Sequence, residues 1–271
     1  MSNLVRSAKS TNNWTGYDLT AYHITVRLVQ PAEFFCSGPN PSLDHIDSKI
    51  LTSIDVDDPS MSDTASRYLA YLEMATHASP NQDSIMDDFA RETLSLLGFD
   101  ERNERILTTR YNIPYNTFRE SKENAQADVC LLYRPALVLL VLVVDKVLTK
   151  TDPEAHVIAD AIAAFQFNNR QREDMGRPKL ESMTIPCITM SRTRPTFYLV
   201  PVTNALSEAV ITRQYPSVET TVLKCLTITG QYRDRHGMAG LEYRKLALGR
   251  FLAFKMLAQN HWQDIVQGYN Y

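Results

Sequence analysis

Glycine is scarce in this chain: nine in 271 residues, none spaced as GxGxxG or GxxxxGK. Main-chain cradles for nucleotide phosphates are therefore not expected. The four cysteines, Cys36, Cys130, Cys187 and Cys225, lie far apart with no CxxC pair. That pattern speaks against a disulfide framework or a cysteine zinc site. Three of them sit in apolar strand-like runs, where buried reduced thiols are expected. The six histidines show no HxxH, HExxH or histidine–cysteine spacing, and GxSxG is absent. Zinc-protease and serine-hydrolase chemistry thus have no motif to rest on. The longest apolar run, ALVLLVLVV at 136–144, is far shorter than the ~20 residues a bilayer requires. The opening MSNLVRSAKS has no apolar core for a secretory leader, so a cytoplasmic or nuclear protein is expected. A net charge of -3 announces neither nucleic acid nor a membrane surface.

With 44% hydrophobic and 22% charged residues, the composition is that of a globular protein. Its length suits one core with a decorated terminus. Residues 1–80 read as an N-terminal extension. Tyr22, Ile24, Val26 and Leu28 alternate as a strand within 20–29. A helix is expected over 62–75, capped by Ser62 or Asp63, burying Leu69, Leu72 and Met74. The main unit, 81–271, opens with a helix carrying Ile85, Phe89, Leu94 and Leu97 on one face and stopping at Gly98. ERILTTRYNI, QADVCLLY and ALVLLVLVVDKV follow as strands, the last two joined by a turn at Arg134-Pro135. A helix with Asp152 as cap and Pro153 at its first position comes next. PCITM and PTFYLVPV are strands, NALSEAVI a short helix and VETTVLKCLTI another strand. A long helix from Leu241 to Val266 closes the chain. The order predicts an α/β fold: a mixed central sheet flanked by helices, with an N-terminal α+β extension.

A strand as apolar as 136–144 calls for cover on both faces, yet it ends on Asp145 and Lys146. A turn near Pro135-Ala136 sets Asp128 opposite a residue close to Val143, which brings it beside that charged end. Two carboxylates and a lysine at one sheet edge are what magnesium-dependent phosphodiester cleavage uses. Hard oxygens hold the metal, and a lysine steadies developing charge or orients water.

This arrangement resembles the PD-(D/E)XK, or restriction-endonuclease-like, superfamily. Its pattern is an aspartate on one strand, then an acid, any residue and a lysine ending the next. The succession αβββαββ over 83–200 resembles that core. Most of the chain is also similar to a family of uncharacterised fungal proteins in which this strand ends in Gln-Glu-Asp-Lys and a helix like PEAHVIADAIAAFQFNN follows. The resemblance implies Asp128 as first metal ligand, Lys146 as the lysine, Glu92 as the acid of the preceding helix, and magnesium as cofactor. The second ligand falls on Val144, which offers no side-chain oxygen. Strand period two puts 144 and 146 on one face and Asp145 on the other, so Asp145 substitutes only if a bulge or twist turns it inward.

Gln166, Asn169 and Arg170 crowd one side of the next helix. The resemblance implies that Gln166 steadies the substrate or the lysine; a merely polar helix end is the rival reading. Arg172, Arg177, Lys179, Arg192, Arg194, Arg233, Arg235, Arg244, Lys245 and Arg250 form a phosphate-binding rim only if the fold gathers them around Asp128. Trp14 and Trp262 are candidate stacking platforms, or core residues. The apolar face of the last helix is expected to pack on the sheet, with a homodimer seam as the alternative. The expectation is a nuclease-fold protein with impaired cleavage and a retained nucleic-acid-binding or scaffold role. The alternatives are an active magnesium nuclease using Asp128, Asp145 and Lys146, and a protein-interaction module that touches no nucleic acid.

Overall fold

A computed structural model describes residues 9–268, apart from 37, 39–40, 80–81, 102–103, 118–120, 135, 146–151 and 230–235, with the backbone alone for 115–117 and 121–124. Seven strands, β1 (Ile24–Leu28), β2 (Arg105–Thr117), β3 (Ser121–Tyr133), β4 (Leu137–Asp145), β5 (Ser182–Ser191), β6 (Arg194–Thr203) and β7 (Thr220–Leu226), form one mixed sheet in the order β1-β7-β6-β5-β4-β3-β2. The helices are α1 (Gly16–Ala21), α2 (Pro31–Phe34), α3 (Ser48–Thr52), α4 (Asp63–His77), α5 (Asp83–Leu96), α6 (Pro153–Asp174), α7 (Asn204–Thr212) and α8 (Leu241–Val266). Beta-4 and β5 run parallel and are joined through α6, and β1 lies parallel to β7; the other neighbours are antiparallel.

Two adjacent residues of β6 show how the layers are divided. Tyr198 donates its hydroxyl to Glu154 of α6 at 3.2 Å. Phe197 packs on Phe251 and Phe254 of α8. Neighbours on a strand point to opposite faces, so α6 covers one side of the sheet and α8 the other. Helix α5 sits on the α8 side, tied by Lys255 Nζ to the Leu97 carbonyl at 2.9 Å. Leu137 to Val144 of β4 are all buried, as a strand covered twice requires.

Helix α6 starts where its sequence says it should: the Asp152 carboxylate accepts the Glu154 and Ala155 N–H groups, and Pro153 follows. Gly98 ends α5 with φ +67, a left-handed stop that a β-carbon would strain. The first segment departs from expectation. Residues up to Ala21 are helical, held by the Thr15–Asp18 capping box, and the strand begins only at Ile24. Met74 is 49% exposed, because the buried stripe of α4 runs through Tyr68, Leu69, Leu72 and Ala75. Trp14 and Trp262 are both 3% exposed, and the Trp262 indole donates to the Leu139 carbonyl at 2.9 Å. They are core residues and not stacking platforms.

Beta-2 and β3 extend beyond the apolar stretches that marked them. Away from a slip at Arg110, the hairpin keeps one face wet, with Gln126 bonded to Asn112, while Ile113, Ala125 and Ala127 are buried.

Candidate functional site

The row Cys130–Val141–Cys187–Tyr198 crosses four strands in register and ends on the residue that bonds α6. Those side chains, and Thr108 paired with Cys130, therefore face α6. Strict alternation would turn Tyr111 to the other side. It nevertheless meets Phe167 of α6, ring centroids 6.3 Å apart. The phase slips at Arg110, whose φ is +51 and whose guanidinium reaches Asp87 of α5 at 3.4 Å. Pairs Thr109–Val129 and Tyr111–Ala127 flank it, so Arg110 lies opposite Asp128.

Asp128 sits at that slip, 3% exposed. The backbone register between β3 and β4 runs to Val129–Leu142. Beyond it the Asp128 side chain takes over: Oδ2 accepts the Val144 N–H at 2.8 Å. The carboxylate thus lies in the gap where β3 parts from β4. The expected register is found, with Asp128 level with Val143.

Pairing of β4 to β5 is continuous from Val141 to Asp145, so no bulge turns Asp145 toward the side of Val144. Asp145 shares the α6 face with Val141 and Val143 and is half-buried. Val144 points to the α8 side, 3% exposed, beside fully buried Met190. Lys146 lies outside the described residues, as do Arg233 and Arg235. Glu92, on α5, is held by Arg67 of α4, whose Nε and Nη2 both stand 2.8 Å from Oε1.

Gln166, Asn169 and Arg170 do come together. With Lys179, Asn204 and Glu208 they line a groove of about 530 Å³ between α6 and α7. It lies roughly 9–15 Å down the helix axis from Asp160, by the rise of 1.5 Å per residue. The Asn169 amide is engaged with both backbone groups of Leu180, which pins the α6–β5 connection. Among the described residues, the basic side chains do not gather into a rim around Asp128. Arg172 donates to the carbonyls of Pro178, Ile265 and Gln267. Arg244 donates to those of Ile50, Ser53 and Met238. Arg250 lies over the Phe35 ring. Arg192 reaches the Thr76 carbonyl from a turn at φ +54, and Arg194 follows that turn half-buried. These are braces between elements.

The structure adds a group that motif reasoning passed over. Asp160 of α6 is fully buried, and His156, one turn earlier, is 9% exposed. His156 Nε2 stands 3.4 Å from Asp160 Oδ2. Thr11, from the 3-10 turn at Thr11–Asn13, is buried beside them. Burial pushes the Asp160 carboxyl up to about 6; His156 and the Thr11 hydroxyl pull it down, and Asp128 adds to the rise. Asp160 in turn adds to the upward shift that burial gives the Cys130 thiol. The signal was present in HVIAD, two polar residues four apart in an otherwise apolar helical stretch.

Among the described residues, no three histidine, cysteine, aspartate or glutamate side chains lie close enough to share a metal. Also among them, no helix is long and apolar enough to cross a membrane. No family model matches the chain, and no curated protein matches it.

Proposed function

We propose that this chain is a nuclease-fold protein of the cytoplasm or nucleus in which magnesium-dependent cleavage has been lost and a binding or scaffold role remains. The observation that carries this reading is Val144. The position that would present the second carboxylate instead presents an apolar side chain to the α8 layer, and its N–H already occupies one oxygen of Asp128. Magnesium demands a near-octahedral shell of oxygens. Asp128 has an oxygen engaged by that N–H, and among the described residues no three carboxylates, imidazoles or thiols come close enough to share an ion, so no hydrolytic step is routed through it. The guanidiniums of Arg172 and Arg244, held on backbone carbonyls, weigh toward a protein scaffold over a phosphate-binding groove.

An active nuclease is the second reading, favoured by Asp145, which stands two residues past the partner of Asp128 on a half-buried strand end. The test is incubation of the purified chain with single- and double-stranded DNA and RNA in magnesium or manganese, beside Asp128→Asn and Lys146→Ala. The expected result is no cleavage above either variant. Cleavage abolished by both variants would overturn the proposal in favour of the active reading. Absence of cleavage with salt-dependent binding supports a nucleic-acid role; absence of both supports a protein scaffold.

A further inference from the structure

Four polar atoms converge between α6 and the N-terminal turn without a hydrogen bond of good geometry: both carboxylate oxygens of Asp160, His156 Nε2 at 3.4 Å from one of them, and the Thr11 hydroxyl that acts on the carboxylate. Asp160 and Thr11 are fully buried. A buried carboxylate so weakly partnered is costly, and buried groups left short of partners mark a bound ion or water. Among the described residues, the influences on Asp160 are burial, His156, Thr11 and Asp128, with no lysine or arginine. A second carboxylate nearby makes a cation more favourable still.

The spacing adds a geometric argument. His156 Nε2 and Asp160 Oδ2 are 3.4 Å apart and misaligned for a hydrogen bond. Two ligands of one tetrahedral zinc, each about 2.0–2.1 Å from the metal, are separated by about 3.3–3.5 Å. The i,i+4 spacing on α6 sets both side chains on one stripe, so the helix itself fixes the pair.

We infer that His156 Nε2 and Asp160 Oδ2 hold a divalent cation of the zinc class, with Thr11 Oγ1 beside it and water completing the shell. An imidazole nitrogen with a carboxylate oxygen suits zinc; magnesium prefers oxygen alone. Such an ion would pin the N-terminal turn to α6. The site neighbours Asp128, whose carboxylate adds to the field at Asp160, but it takes neither Asp128 nor Asp145 as a ligand and does not rest on the nuclease reading.

The test is calorimetric titration of the chelator-stripped full chain with zinc and with magnesium. Zinc should bind at one site and magnesium should not. His156→Ala and the isosteric Asp160→Asn should each weaken zinc by ~100-fold or more, while Asp145→Asn leaves it unchanged. Chelator should lower the melting temperature of the native chain and leave that of Asp160→Asn where it is. A folded native chain that takes up no zinc, or zinc uptake that survives both ligand substitutions, would overturn the site. Cleavage assays on Asp145→Asn report on the nuclease reading separately.

Discussion

The Asp128 carboxylate accepts the Val144 N–H at 2.8 Å, so a side chain stands in for main-chain pairing where β3 leaves β4. The sequence resemblance would align both residues with a metal motif. In the fold they are first of all partners in holding a forked pair of strands. A side-chain acceptor there is needed whether or not a metal ever binds.

Placing Glu at 144 should not rebuild a metal site. The Val144 side chain lies in the apolar layer under α8, beside Met190. A carboxylate there would be buried without a partner, at a cost of about 3 kcal/mol or more. Urea unfolding of Val144→Glu should show that loss. Native stability in the variant, with new magnesium binding, would mean that the side chain turns toward Asp128.

Substitution at 128 should be read first as a stability effect. Asp128→Ala leaves the buried Val144 N–H unmet and should cost about 1.5–3 kcal/mol. Asp128→Asn keeps an acceptor oxygen and should cost less, by about 1 kcal/mol. The two denaturation midpoints, compared with the native chain, decide this.

Asp160 predicts a pH dependence in chelator-stripped protein. Its carboxyl is raised from 3.8 to about 6, chiefly by burial. Between those values the unfolded chain has released the proton and the folded chain keeps it. The stability this group contributes is therefore full below about pH 4 and is lost as pH rises through about 6. The change amounts to up to about 3 kcal/mol. Stability curves over pH 4–7 should flatten by that much in Asp160→Asn. Zinc should abolish the slope in the native chain by holding the carboxylate ionised.

Arg244 should prove structural. Burial lowers its pKa, and its guanidinium bridges the start of α8 to carbonyls of α3 and the turn after it. Arg244→Lys loses the fork geometry and should destabilise by about 2–4 kcal/mol. Scanning calorimetry on the variant measures this. Any change in nucleic-acid binding that appears without a fall in melting temperature would contradict the assignment.

Much of the fold was legible because local physics repeats along the chain. Asp152-Pro153 fixes the start of α6, Gly98 ends α5, and the unbroken apolar run of β4 requires two covering layers. Asp128 falls level with Val143 only because an irregularity between Leu131 and Leu132 shifts the turn's register by one residue, which the sequence does not announce. The fate of the arginines was not legible, since a guanidinium reads the same in a phosphate rim as against backbone carbonyls. Met74 was misplaced because a helix phase error of one residue turns a side chain by about 100°.

Periodicity, caps and turn chemistry belong to neighbouring residues, so the sequence by itself determined the main-unit strands, the long helices and the doubly covered sheet, but not the short helices before α4. Tertiary structure alone decided where the polar groups meet. One left-handed residue, Arg110, shifts the phase of β2 opposite Asp128, and helix α6 carries His156 and Asp160 against Thr11, which lies more than a hundred residues earlier in the chain. Those encounters depend on angles summed over long stretches of chain, and no local pattern records that sum.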